Sequence, residues 1–266
     1  MIRPSCLSDE NPYRIGYSKW PKVNGLFCIL NTLFATILAQ PVGKAVTSHF
    51  LLGLGPLVTL VMSLESSRWY GFPYALMLSV PNVVGMVTQV MGGGLILPVY
   101  FLVFVLALQP SNATRPVRPM EAERSLLSTV LGFIIPARNI LTNQSPRTLA
   151  IFQIFPIISI GIGSLYNVVR RAVPPEEGAA GARASWRNVQ IGYFVCAASS
   201  LYAHYQVILP RLRAASLAPL LEILVPQYSR PFSGPKDVAP TLPAAVLDFL
   251  KWDYALVLAA IGLGAS

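Results

Sequence analysis

Charged side chains are scarce in this chain, so the few that lie in or beside apolar runs are the first candidates for chemistry. They are Glu65, Arg68, Arg138, His204 and Asp253. Ionisable residues within membrane-spanning segments are functional candidates by default, and each is weighed against a plainer role. In "SLESSRWYGFP" Glu65 and Arg68 are three residues apart, so on a helix they share a face and can neutralise one another at a membrane surface. His204, between Tyr202 and Tyr205, reads as a hydrogen-bonded packing residue, and Arg138 as a side chain that snorkels to the interface. Asp253 is harder to dismiss. In "LDFLKWDYALVLAAIG" Asp248 and Lys251 can pair, but Asp253 lies about 200° around a helix from Lys251. No local cation faces it and only apolar residues follow. A carboxyl buried without a partner tends to keep its proton near neutral pH, which is what a Brønsted acid acting on an apolar substrate needs.

Other chemistries find no support. No cluster of carboxylates could hold magnesium against a diphosphate. His49 and His204 lack the HExxH spacing of a zinc hydrolase, and neither a GxSxG elbow nor a phosphate loop occurs. The triplet Gly92–Gly94 has no accompanying strand or lysine and reads as close helix packing rather than a phosphate cradle. Cys6, Cys28 and Cys196 show no metal-ligand spacing, and their odd number argues against a disulfide framework. The expectation is therefore a chain with no cofactor and no metal.

The elements that position these groups are membrane helices. Of 266 residues 54% are hydrophobic and 12% charged, against roughly 25% charged in soluble domains. So few solvating groups cannot cover a globule of this size, and a lipid bilayer must cover much of it. The net charge of +9 lies in connectors such as Arg115–Arg124 and Arg170–Arg187. There it sets orientation and touches anionic headgroups, and nucleic-acid binding is not expected.

The fold expected is all-α, a polytopic bundle of about seven transmembrane helices, or about eight, at roughly 20 residues each. A polar segment, 1–24, carries no cleavable signal, and a single transmembrane domain occupies 25–266, with a Pro-rich interfacial connector over 210–244. Residues from about Pro81 to Leu108 read as one long kinked helix, with two half-spans as the alternative. "TLAIFQIFPIISIGIGSLYNVV" reads as one span. Arg3, Arg14, Lys19 and Lys22, against Lys44 alone in the next connector, favour a cytosolic N-terminus.

Three stretches, "LESSRWYGFP", "VPNVVGMVTQVMGGGLILPVYFLVFVLA" and "DFLKWDYALVLAA", together resemble the fungal membrane-bound terpene cyclases of the ascochlorin and ascofuranone meroterpenoid pathways. The resemblance runs in order through most of the chain. It implies metal-independent, acid-initiated cyclisation of a prenylated substrate, with or without a terminal epoxide, by a multi-pass protein of the endoplasmic reticulum. Glu65 or Asp253 would supply the acid, with the other orienting it or taking the last proton. Arg68 would fix the charge of Glu65. Trp69, Tyr70, Trp252, Tyr202 and Tyr205 would turn their ring faces to passing positive charge, His204 would stand beside them, and Gln89 would hydrogen-bond the polar head. A small-molecule or lipid transporter, or a scaffold without catalysis, is the competing expectation. One intramembrane carboxyl suits a proton-coupled carrier, but no repeated halves are visible. A dry, aromatic-lined cavity shared by Glu65 and Asp253 separates the two readings.

Overall fold

A computed structural model of the chain describes residues 6, 11–66, 78, 80–107, 116–173, 178–213, 218–225 and 242–265. Among them the regular structure is helical throughout. The helices are α1 (Pro21–Leu38), α2 (Pro41–Ser66), α3 (Pro81–Met91), α4 (Gly93–Ala107) and α5 (Pro119–Thr142). They are followed by α6 (Pro146–Gln153), α7 (Phe155–Ala172), α8 (Gly178–Leu212), α9 (Ala218–Leu224) and α10 (Leu242–Ala265).

Prolines explain where most of these helices begin. Pro21, Pro41, Pro81, Pro119, Pro146 and Pro156 each sit in a first helical turn, where the missing N–H leaves no bond unmade and the fixed φ suits the helix. Pro56 and Pro136 lie inside α2 and α5, and each follows a widened π-helical turn: His49–Leu54 before Pro56, and Ser128–Ile134 before Pro136. Pro56 cannot donate to the carbonyl of Leu52. The hydroxyl of Ser199 on α8 donates to that oxygen instead, at 2.7 Å.

The all-α bundle is as expected; among the described residues α1, α2 and α5 are long and apolar enough to cross a membrane, and α6 with α7 make a fourth span if that pair counts as one, fewer than the seven expected. Expected as a single span, α6 and α7 are bent by 63° at a break near Ile154, just ahead of Pro156. The long kinked helix over Pro81–Leu108 is likewise two helices, separated at Gly92 with φ 93° and ψ 147°. That leaves α4 an apolar rod shorter than a full span. Asp248, Lys251 and Asp253 crowd the first half of α10. The broken and charged segments are those that gather around the site described below.

α10 packs most extensively along α4, α8 lies against α2 and α5, and α7 lies against α5 and α3. One core forms around Phe133, Phe152 and Phe155, and another around Leu97, Tyr100 and Tyr254. Leu95, Val99, Leu102 and Leu106 form an exposed stripe on α4, and Phe194 and Leu201 are exposed on α8; lipid would cover such faces. Against the expectation of unpaired cysteines, Cys6 and Cys28 form a disulfide with their Cα atoms 5.9 Å apart. The odd count leaves Cys196 free and buried, and spacing alone does not reveal that the N-terminal segment folds back onto α1.

Candidate functional site

The break at Gly92 creates the central feature. A φ of 93° lies where L side chains rarely go. Restarting the helix at Gly93 leaves the N–H groups of its first turn without helical partners. Asp253 of α10 takes two of them. Gly93 N–H donates to Oδ2 at 3.0 Å and Gly94 N–H to Oδ1 at 2.5 Å. The carboxyl is therefore held across both oxygens at the positive end of α4, and Asp253 is only 9% exposed. Glycine is needed at 92 and 94, and position 93 is tight. A Cβ on Gly94 would lie 2.7 Å from Asp253 Cα, one on Gly92 2.8 Å from Oδ1, and one on Gly93 3.3 Å from Oδ2. The triplet does serve close helix packing, as expected. It also cradles a carboxyl group from its own chain, about which spacing said nothing because the partner lies 160 residues away. Asp253 accordingly has partners, though none is a cation.

Asp253 borders a cavity of about 280 Å³ walled by helices α1–α7 and α10, close to the low end of ligand pockets. Its walls are mainly aliphatic and phenylalanine side chains: Phe34, Phe50, Phe133, Phe152, Phe155 and Phe249. Among the described residues Asp253 is the one ionisable group lining it. Gln89 and Thr88 of α3 supply polar groups to the same wall.

The other candidates are distributed differently. Glu65 does not line the cavity. α2 turns Thr59, Met62 and Ser63 inward, and Glu65 follows Ser63 by about 200° of helical rotation. It is half-buried and lies within electrostatic range of the Tyr100 and Tyr193 hydroxyls. The expected meeting of Glu65 with Asp253 in one chamber does not occur. Arg68, Trp69 and Tyr70 lie outside the described residues. Trp252 is half-buried, Tyr202 is 48% and Tyr205 62% exposed, and none of the three lines the cavity. Arg138 is exposed. The aromatic wall is phenylalanine rather than tryptophan and tyrosine. No sequence signal separates a lining phenylalanine from a packing one.

His204 has a definite partner. Its Nε2 is 3.4 Å from Nε2 of His49, and its Nδ1 is 2.8 Å from the carbonyl of Ser200. A carbonyl only accepts, so Nδ1 of His204 carries the hydrogen. With both rings neutral, His49 Nε2–H donates to His204 and Tyr254 O–H donates to His49 Nδ1, at 2.5 Å. This polar chain ties α10 to α2 and α8 one residue beyond Asp253. Among the described residues no three His, Cys, Asp or Glu side chains converge as a metal site would need.

No curated protein and no solved structure matches the chain. The family model of the CtvD domain matches residues 3–264, nearly its whole length. The chain belongs to the CtvD domain family.

Proposed function

We propose that this chain is a membrane-bound cyclase of fungal secondary metabolism, resident in the endoplasmic reticulum. It would close rings in a prenylated substrate by acid-initiated carbocation chemistry. Membership of the CtvD domain family supports a biosynthetic enzyme. The observation that carries the reaction type is an apolar, phenylalanine-walled chamber with one ionisable lining group, Asp253.

In this reading Asp253 gives its proton to the oxygen of a terminal epoxide, and that C–O bond breaks. The electron pair of the neighbouring alkene closes the ring. The cation formed last loses a proton back to the carboxylate, so the reaction is an isomerisation and the acid is regenerated. Gly93 and Gly94 N–H stabilise the carboxylate between the two transfers. The phenylalanine faces stabilise passing positive charge, and a chamber poor in polar groups keeps water from intercepting it. Glu65 belongs to a different face and serves at most at a distance. Gln89 hydrogen-bonds an oxygen of the bound substrate.

Asp253→Asn tests the acid directly. In microsomes supplied with an epoxy-prenyl aromatic, product formation should fall by at least about 10²-fold, with protein level unchanged. Unchanged turnover would remove Asp253 as the acid. Movement of the intact compound across sealed vesicles without chemical change would favour the carrier reading.

A further inference from the structure

The phenylalanine chamber is not closed on all sides. Two residues that line it are also largely exposed at the surface: Val90 near the end of α3, at 55%, and Phe249 of α10, at 58%. They stand at its rim, and the rim is beside the acid. Phe249 precedes Asp253 by one turn of α10. A Cβ on Gly92 would lie 3.0 Å from Cζ of Phe249 and 2.8 Å from Oδ1 of Asp253, so ring and carboxyl flank the same glycine.

The surface outside this opening is apolar. On that side the wall is a single helix, because α3 turns Gly85, Thr88 and Gln89 toward the chamber and leaves Val83, Val87 and Met91 exposed. From Pro81 to Ala107, α3 and α4 contain no Lys, Arg, Asp or Glu. Leu256, two turns beyond Phe249 on the outer face of α10, is exposed as well.

Depth points the same way. Pro81 shares a polar hollow with Arg124, a side chain that belongs at the edge of the hydrocarbon. Val90 lies nine residues further along α3, about 14 Å at 1.5 Å per residue, close to half of a hydrocarbon core roughly 30 Å thick. A mouth so apolar and so deep opens on acyl chains.

We infer that this opening is a side portal through which uncharged apolar molecules pass from the bilayer to Asp253, and that the Phe249 ring is its gate. Exposed side chains change rotamer quickly, and swinging Phe249 outward widens the passage between α3 and α10 without moving a helix. Asp253 then meets what enters at the mouth rather than at a blind end, and the bulk of residue 249 selects what passes. The inference concerns access alone, so it does not rest on the cyclase reading.

Photolabelling of the full-length protein in phosphatidylcholine vesicles tests it. The probe is trifluoromethyl phenyl diazirine, an uncharged carbene precursor that partitions into acyl chains, with the labelled residues read by peptide mapping. Carbene insertion requires no particular protonation state. In the native protein the label should reach Phe152 and Phe155, buried in the chamber wall, as well as Leu102 and Leu106 on the exposed face of α4. A Val90→Trp/Phe249→Trp double variant should cut the label at Phe152 and Phe155 by at least about tenfold. Phe249→Ala should raise it. The label on α4 should stay constant in both variants, which shows that fold and partitioning are unchanged. An inner label that is absent from the native protein, or that survives in the tryptophan variant, overturns the portal. So does equal inner labelling by the para-carboxylate of the same diazirine, which stays in water and would mean an aqueous mouth. Asp253→Asn should keep the native labelling pattern whatever its turnover, so the portal and the acid can fail separately.

Discussion

Gly94 is the tightest of the three glycines around Asp253. A methyl group there meets the Cα of Asp253 at 2.7 Å, and because that atom is backbone, α10 as a whole must retreat. Gly161 on α7 faces open space, with no atom within 4 Å of where a Cβ would project, so alanine there adds helix propensity without a collision. Gly94→Ala should therefore cost about 1–3 kcal/mol, seen as a lowered thermal midpoint in detergent, with Gly161→Ala neutral or stabilising. Equal midpoints for the two variants would mean that α10 does not rest on α4 as described. Asp253 itself was visible in the sequence because its isolation on an apolar helix is a local property. Its partners were not, since hydrogen bonds to Gly93 and Gly94 depend on where α10 lands. Glu65 shows the converse error. Two isolated acids suggest a pair, but helical rotation past Ser63 carries Glu65 away from the cavity.

At the scale of helices, proline was legible as a start signal and less so as a cause of widened turns. Pro81 marks the start of α3 as read from the sequence, whereas the π turn ahead of Pro56 requires knowing that Ser199 reaches Leu52. That bond supplies a test of cause. If Ser199 serves the carbonyl that Pro56 leaves orphaned, Ser199→Ala should destabilise the native protein by about 1 kcal/mol. In a Pro56→Ala background the N–H of residue 56 can take the Leu52 carbonyl, and the same substitution should then cost nearly nothing. A double-mutant cycle on unfolding free energies reads the difference as a coupling energy. Additive effects would show that the hydroxyl and the proline are unrelated. The glycine break at 92 acts at the same scale. It shortens α4 below a full span, which is one reason that fewer membrane-capable helices stand among the described residues than apolar runs in the sequence.

For the molecule as a whole, the scarcity of charge was enough to indicate a helical bundle with lipid-covered faces, but not which way it faces. Two signals now oppose each other. Arg14, Lys19 and Lys22 precede α1 or lie in its first turn and favour a cytosolic N-terminal side. The Cys6–Cys28 disulfide ties the N-terminal segment to the first half of α1, and such bonds persist in oxidising compartments and are rare in the cytosol. A bond closing a 22-residue separation contributes on the order of 3 kcal/mol by restricting the unfolded chain. The cationic bias concerns insertion, and later connectors are basic as well, so the disulfide is the stronger argument. In the proposed location the N-terminal side should face the lumen of the endoplasmic reticulum. A glycosylation acceptor tag placed ahead of Met1 should then gain a glycan, and Cys6 and Cys28 should resist alkylation in intact microsomes until a reductant is added. An unmodified tag, with both thiols alkylated before reduction, would place that side in the cytosol and leave the basic residues in control of orientation.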